Sequence, residues 1–181
     1  MASSIFLACL NGYEPEWADA WASGVADVFP YPVRPMRLEL DLQPAYAPER
    51  RQYHATMILA GLFRHLPRHG KKILGITTVD LFIPVLTFVF GQSQLDGPAA
   101  VVSTHRLEST FYGLPPDEGL LLERTIKESV HELGHAFGLV HCPEQECVMH
   151  ASTYVEEVDI RGAEFCEDCR GRLCPGRATH D

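Results

Sequence analysis

The chain is short of positive charge. Lys and Arg total 15 against 24 Asp and Glu, a formal net charge of −9. Phosphate contacts need clustered cations, so a basic nucleic-acid-binding surface is excluded. Arg170, Arg172 and Arg177 lie near the end, but Glu164, Glu167 and Asp168 stand beside them. Long apolar runs are missing too. No stretch approaches the roughly 18 residues of a membrane span. The start, MASSIFLACLNGYEPEW, lacks the basic segment of a secretory leader. A cytoplasmic monomer without membrane contact is the expectation. Internal repeats and low-complexity tracts are absent, which excludes solenoids and arrays. Cysteine is nearly absent from the first three quarters, where Cys9 stands alone before Cys142. A disulfide framework would spread its cysteines across a small secreted domain, so that class is excluded as well.

What is present suits one domain with a real core and a small appendage. Of 181 residues, 46% are hydrophobic and 22% charged, which is ordinary for a globular protein. SSIFLACL (3–10) reads as a buried strand, and Trp17 to Val28 has helical spacing. PYPVRPMRLEL (30–40) reads as a second strand, placed near an edge by its prolines. QPAYAPER reads as a loop. Gln52 to Leu66 reads as a helix with apolar Met57, Leu59, Leu62 and Phe63. KILGITTVDL (72–81), PVLTFVFG (84–91) and AAVVSTHRL (99–107) read as three more strands. A long helix starts at Asp117, a plausible N-cap, and runs to Gly138. Its apolar face is Leu122, Ile126, Val130, Leu133 and Phe137; its other face carries Arg124, Glu128, His131 and His135. The expected fold is α/β (α+β), a mixed twisted sheet with this helix in residues 1–141. Residues 142–181 form a short cysteine-rich subdomain.

The chemistry concentrates in HELGHAFGLVHCPEQECVMH (131–150). His131 and His135 are four apart, so one helix face carries both imidazoles to one ion. Glu132 is offset by about 100° and can stand beside that ion as a proton acceptor. A continued helix would carry His141 to the wrong side. Gly138 tolerates the left-handed conformation that ends a helix and turns the chain back. Three histidines leave a position open, as a catalytic zinc requires. By chance, HExxH would occur in about four of a hundred chains of this composition, and the pattern extended through Gly138 and His141 in roughly one or two in ten thousand. Only the longer pattern therefore counts as a strong signal.

A second ligand set follows. Cys142 and Cys147 form one pair and Cys166 and Cys169 a CxxC, enough thiolates for a closed tetrahedral zinc. Cys174 and His150 are further candidates. Cys9 reads as a small apolar residue in a buried strand.

HELGHAFGLVH resembles the metzincin zinc-peptidase signature HExxHxxGxxH, and Met149 stands where that clan places its methionine turn. His141-Cys142, Cys147, Val148-Met149 and Cys166-x-x-Cys169 together resemble the archaemetzincin family. VDLFIPVLTFVFGQSQLDGPAAVVSTHRL is similar to the segment before that family's active-site helix. Between Met149 and Cys166 the chain is one residue shorter than the family's pattern, which leaves His150 and Cys174 open as substitute ligands. The resemblance implies a metzincin-like fold and a zinc-dependent peptidase acting on a peptide or small protein, and points toward aminopeptidase-like action on short peptides. It implies two zinc ions per chain: a catalytic one on His131, His135 and His141 with Glu132 as base, and a structural one on Cys142, Cys147, Cys166 and Cys169. AAVVSTHRL is expected at the rim of the cleft, either as a strand that pairs with an extended substrate or as an ordinary sheet edge. The competing reading is a non-catalytic zinc-binding scaffold whose first site is metal-free or inactive.

Overall fold

Alternation along three strands explains the layered architecture. A computed structural model describes residues 3–173. In β1 (Ser4–Leu10), Ile5, Leu7 and Cys9 point into one core while Ala8 and Leu10 point into another. The strands β5 (Gly70–Thr77) and β8 (Ala99–Ser103) divide in the same way: Leu74, Ile76, Ala100 and Val102 on one side, Ile73, Ala99 and Val101 on the other. Strands buried on both faces need no polar side, hence the continuous apolar runs. With β2 (Val33–Leu38) and β7 (Gly91–Ser93) they form a five-stranded sheet ordered β2-β1-β5-β8-β7. The first four are parallel to their neighbours, and β7 runs antiparallel to β8. The prolines of β2 are tolerated because it is the opposite edge. A small second sheet joins β3 (Tyr46–Ala47), β4 (Gln52–His54) and β6 (Leu81–Phe82).

Helices cover both faces. α1 (Ala18–Ala26) and α3 (Glu118–Ala136) close one side, with Trp21, Val25, Val130 and Leu133 in the first core. Trp21 Nε1 donates to Ser129 Oγ across 2.8 Å and fixes the two helices together. α2 (Ala55–Arg64) closes the other side through Ile58, Leu59 and Leu62. Asp117 caps α3 as expected, its carboxylate accepting from the Leu120 amide at 2.9 Å. The short helices α4 (Val155–Ile160) and α5 (Glu167–Leu173) follow, and Val155, Val158, Phe165 and Leu173 pack into the first core. Cys174 lies outside the described residues.

Three sequence expectations need correction. PVLTFVFG is no strand. Arg50 Nη2 donates to the carbonyls of Leu86 and Thr87, and Gln52 Nε2 donates to the Thr87 carbonyl. Those side chains take carbonyls that a sheet ladder would use, and the segment becomes a loop with Val85 83% exposed. The helix read over Gln52 to Leu66 begins at Ala55, and its outward residues include Met57 and Phe63. AAVVSTHRL is not the rim: β8 sits inside the sheet, and the edge belongs to β7.

Candidate metal centre and cleft

α3 carries its second half through the interior, with Glu128 to Gly134 all buried. His131 and His135 project from one face, and their Nε2 atoms stand 3.1 Å apart. Each ring is held from behind. His131 Nδ1 lies 2.8 Å from the Val148 carbonyl, and His135 Nδ1 lies 2.7 Å from the Leu139 carbonyl. A carbonyl only accepts, so His135 Nδ1 carries the proton and its Nε2 lone pair faces the cleft; His131 Nδ1 has both the Val148 carbonyl and, at 3.1 Å, the donor Arg161 Nη1 beside it. Gly138 has φ +93°, the left-handed turn expected of it. The Leu139 amide closes back on the Gly134 carbonyl at 3.0 Å. The turn returns His141 to the cluster, its ring centroid 4.8 Å from that of His135. Ligand atoms of the three histidines all lie within 4.8 Å of one another.

These residues fit zinc. Ligands on a tetrahedral ion with Zn–N bonds of about 2.0–2.1 Å stand about 3.3 Å apart, close to the separation of the two Nε2 atoms. Electrostatics agree. Burial lowers the pKa of His131 well below the ordinary value, and Arg161 and His135 add to it. Burial first, then neighbouring cations, lowers His135 and His141 too. Each shift favours the neutral ring, the form that binds metal.

Glu132 lies beside them, 6% exposed. Burial, then the charge of Glu128, pushes its carboxyl up to about 8, while the Ser93 hydrogen bond and Arg161 pull the other way. Ser93 Oγ donates to Glu132 Oε2 at 2.8 Å. The edge strand comes this close because Gly91 has no side chain: a Cβ there would meet Glu132 Cγ at 2.7 Å. Sequence reading missed Ser93, because β7 is too short to show a pattern.

Met149 is fully buried beneath α3. A Cβ on Gly134 would stand 2.4 Å from Met149 Sδ. Just beyond, Cys142, Cys147, Cys166 and Cys169 converge within 4.8 Å. Cys142 Sγ and Cys166 Sγ are 3.8 Å apart, and zinc–sulfur bonds of about 2.3 Å put tetrahedral thiolates about 3.8 Å apart. The Cys166 amide donates to Cys147 Sγ. Burial and neighbouring thiols push Cys169 up, burial raises Cys142, and the Cys169 amide lowers Cys166. Such a crowd of sulfurs ionises together only around a cation. Cys9 stands apart in β1, and the five cysteines of the described residues are all free thiols. His150 supports the turn instead, its Nδ1 3.1 Å from the Cys142 carbonyl.

A cavity of about 370 Å³ opens over the histidines, between Leu86–Gly91 and Ala151–Thr153. A second recess of about 350 Å³ runs along β7 past Val140 and Leu95. Two buried cations stabilise the base of this region. Arg124 pairs with Asp159 through two hydrogen bonds of 2.6 and 2.7 Å. Arg161, 1% exposed, donates to Glu128 at 2.5 Å and to the His150 carbonyl at 2.9 Å. Glu128 stands three residues before His131, on its face, which was the available signal. Arg161 gave none.

A twisted α/β sheet, a histidine trio around an open position and a buried glutamate beside it define a zinc-metallopeptidase class of site. Comparison with known proteins narrows the class. Residues 49–174 match the model of peptidase family M54. Over 130 residues the chain is 46% identical to the archaemetzincin of Thermococcus kodakarensis, covering 71% of this chain and 70% of that protein. The crystal structure of archaemetzincin from Methanopyrus kandleri superposes with a TM-score of 0.83 at 38% identity, covering 95% of this chain and 93% of that one. A zinc-dependent peptidase from Methanocorpusculum labreanum superposes with a TM-score of 0.87 at 29% identity, covering 94% of this chain and 100% of that one. The chain belongs to peptidase family M54, the family of the archaemetzincins. It is a zinc-dependent metallopeptidase, and its substrates are peptides.

Proposed function

We propose that His131, His135 and His141 hold the catalytic zinc and that Glu132 is the general base. The convergence of the three imidazoles beside the buried Glu132 carboxylate carries this reading. Zinc, when bound, supplies Lewis acidity that polarises a scissile carbonyl and acidifies water. Glu132 takes the proton from the attacking water and passes it to the leaving amine. Ser93 keeps the carboxylate turned toward the cleft. The free edge of β7 receives the extended peptide as an added strand, so chemistry and substrate docking share one strand.

Cys142, Cys147, Cys166 and Cys169 hold a second, structural zinc, giving two ions per chain, and residues 142–181 act as the subdomain around it. The free thiols favour a reducing, cytoplasmic setting. Aminopeptidase-like action on short peptides is the finer reading, with a monomer as the working form and neither nucleic acid nor membrane as partner; among the described residues no helix is long and apolar enough to cross a membrane.

The test is a peptide-library digest with zinc-loaded wild type and Glu132→Ala. Cleavage by the wild type should fall by about 10²-fold or more in the variant, as loss of a general base requires. Equal cleavage by both would refute the role of Glu132. No cleavage by the zinc-loaded wild type would favour the scaffold reading. Free and N-acetylated versions of one peptide then read the aminopeptidase mode, and metal analysis reads the two ions.

A further inference from the structure

Two recesses meet at the metal centre. The cavity over the histidines and the recess along β7 share Val89, Gly91, Glu132, His135 and His141. A peptide whose scissile bond sits over the histidines therefore sends its neighbouring residues into both. The backbone anchor lies along the second recess. The Gln94 amide donates to the Ala99 carbonyl, and the Ser103 amide to the Phe90 carbonyl. Bonding alternates along an antiparallel pair, so Gly91 and Ser93 turn their own amides and carbonyls to the free edge of β7. Apart from β7 and the catalytic cluster, the walls of this recess of about 350 Å³ are Ile83, Val89, Leu95 and Val140, all apolar. Leu95 is 58% exposed and Val140 55%. One exposed aliphatic side chain is ordinary, but two lining a single recess beside a metal centre mark a binding surface. The polar side chains of the strand are already engaged, Gln92 with Thr56 at 3.1 Å and Ser93 with Glu132 at 2.8 Å.

We propose that Leu95 and Val140, over a floor of Ile83 and Val89, form a specificity subsite for a large apolar side chain of the substrate, leucine, methionine or phenylalanine, at one of the two positions flanking the scissile bond. This rests on the peptidase reading above. The substrate backbone pairs with Gly91 and Ser93. The side chain that leaves it on this side covers the exposed faces of Leu95 and Val140 and removes apolar surface from water on both partners. Ile83 and Val89 pack against the second core, so the floor is preformed. Both walls are fixed to metal ligands. Asp96, next to Leu95, donates its amide to the His135 carbonyl at 3.0 Å, and Val140 immediately precedes His141. A side chain seated between them therefore holds its own backbone over the histidines. Alanine would leave both walls wet. Glutamine and glutamate would surrender water for apolar walls, which is unfavourable.

Two measurements test this. The first is cleavage-site profiling with the zinc-loaded enzyme. Leucine should exceed both alanine and glutamine about tenfold at one of the two positions flanking the cut, as a few methylenes in an apolar pocket allow. Leu95→Asn changes an exposed turn residue and should lower the leucine-over-alanine ratio about fivefold. Val140→Thr keeps the branched shape, replaces a methyl by a hydroxyl and should lower the ratio about threefold. A ratio unmoved by both variants, or a wild-type profile indifferent to leucine, overturns the subsite. The second measurement needs no catalysis. The methyl resonances of Leu95 and Val140 in the zinc-loaded wild type are followed by NMR during addition of N-acetylleucine methylamide, N-acetylalanine methylamide and N-acetylglutamine methylamide. The three share one backbone, so any difference reads the side chain. Larger shifts with the leucine compound than with the other two support the subsite. Equal shifts with all three, or no shift with any, overturn it. A protein that cleaves nothing yet shows the leucine-specific shifts would fail as a peptidase while keeping the subsite, so the two failures are distinct.

Discussion

The amide of Cys142 donates to the carbonyl of Met149 across 2.9 Å. The first residue of the cysteine cluster is thereby tied to the methionine beneath the histidines. One residue earlier, the Val148 carbonyl holds His131 Nδ1, and the Val148 amide donates to the Glu164 carbonyl at 2.9 Å. The two clusters therefore share a short piece of backbone. Cys166→Ser should remove one zinc per chain and weaken the remaining site about tenfold, the usual cost of losing an orienting partner. Zinc titration followed by metal analysis reads both effects. An unchanged melting temperature with an intact second site would sink the coupling.

Ser93 holds Glu132 from the edge strand β7. A hydrogen bond to a charged group contributes about 1.5–3 kcal/mol. Ser93→Ala should therefore lower kcat about tenfold or more while KM changes little. The bond favours the ionised carboxylate, so its loss raises the pKa of Glu132. The acidic limb of the rate profile should move to higher pH. A fall in activity through KM alone, with an unmoved pH profile, would leave Ser93 a merely structural residue.

A glycine in a helix interior ordinarily costs about 1 kcal/mol relative to alanine. Gly134→Ala should nevertheless destabilise here, by about 1–3 kcal/mol, the usual cost of overpacking. The added methyl would overlap Met149 Sδ. Thermal unfolding of the zinc-loaded protein measures the sign, and a stabilised variant would show that Met149 yields easily.

Asp80 accepts two hydrogen bonds from Arg106, at 2.7 and 2.8 Å, and one from Gln52. Burial opposes its charge, but the Arg106 hydrogen bonds and charge, with Gln52, outweigh that and hold the carboxyl below its usual range. Its folded value lies beneath its unfolded one. The stabilisation is therefore fully present above about pH 4, the ordinary aspartate value, and is lost as pH falls through the folded value. The melting temperature of the wild type should drop more steeply between about pH 5 and pH 3 than that of Asp80→Asn. Parallel curves would refute the pairing as a source of acid sensitivity. Arg106 also lies 4.2 Å from the Phe88 ring centroid, so the variant should loosen that wall of the cleft and raise KM at neutral pH.

Sequence patterns revealed what local chemistry controls. The β1, β5 and β8 runs are apolar throughout because helices cover both faces. Asp117 and Gly138 bound the long helix because capping and left-handed turns select those residue types. The histidine spacing is helical geometry written directly. Other features depend on distant partners. PVLTFVFG has the composition of a strand, but Arg50 and Gln52 from another part of the chain occupy its carbonyls. β7 covers Gly91–Ser93 alone, too little for periodicity to register. Glu128 and Arg161 are separated by 33 positions, and neither predicts the other.

The His141 turn and the cysteine cluster together have a consequence for timing. His131 and His135 face each other as soon as their helix forms. His141 must wait for the turn at Gly138, and the carbonyl behind His131 must wait for Met149 to be docked. That docking draws on Glu164, whose carbonyl accepts from the Val148 amide and which lies downstream of the whole signature. A nascent chain thus carries the peptidase signature long before it has a peptidase cleft. Hydrolytic capacity is deferred until the segment around Glu164 has joined the signature, which protects neighbouring nascent proteins and the unfinished chain itself.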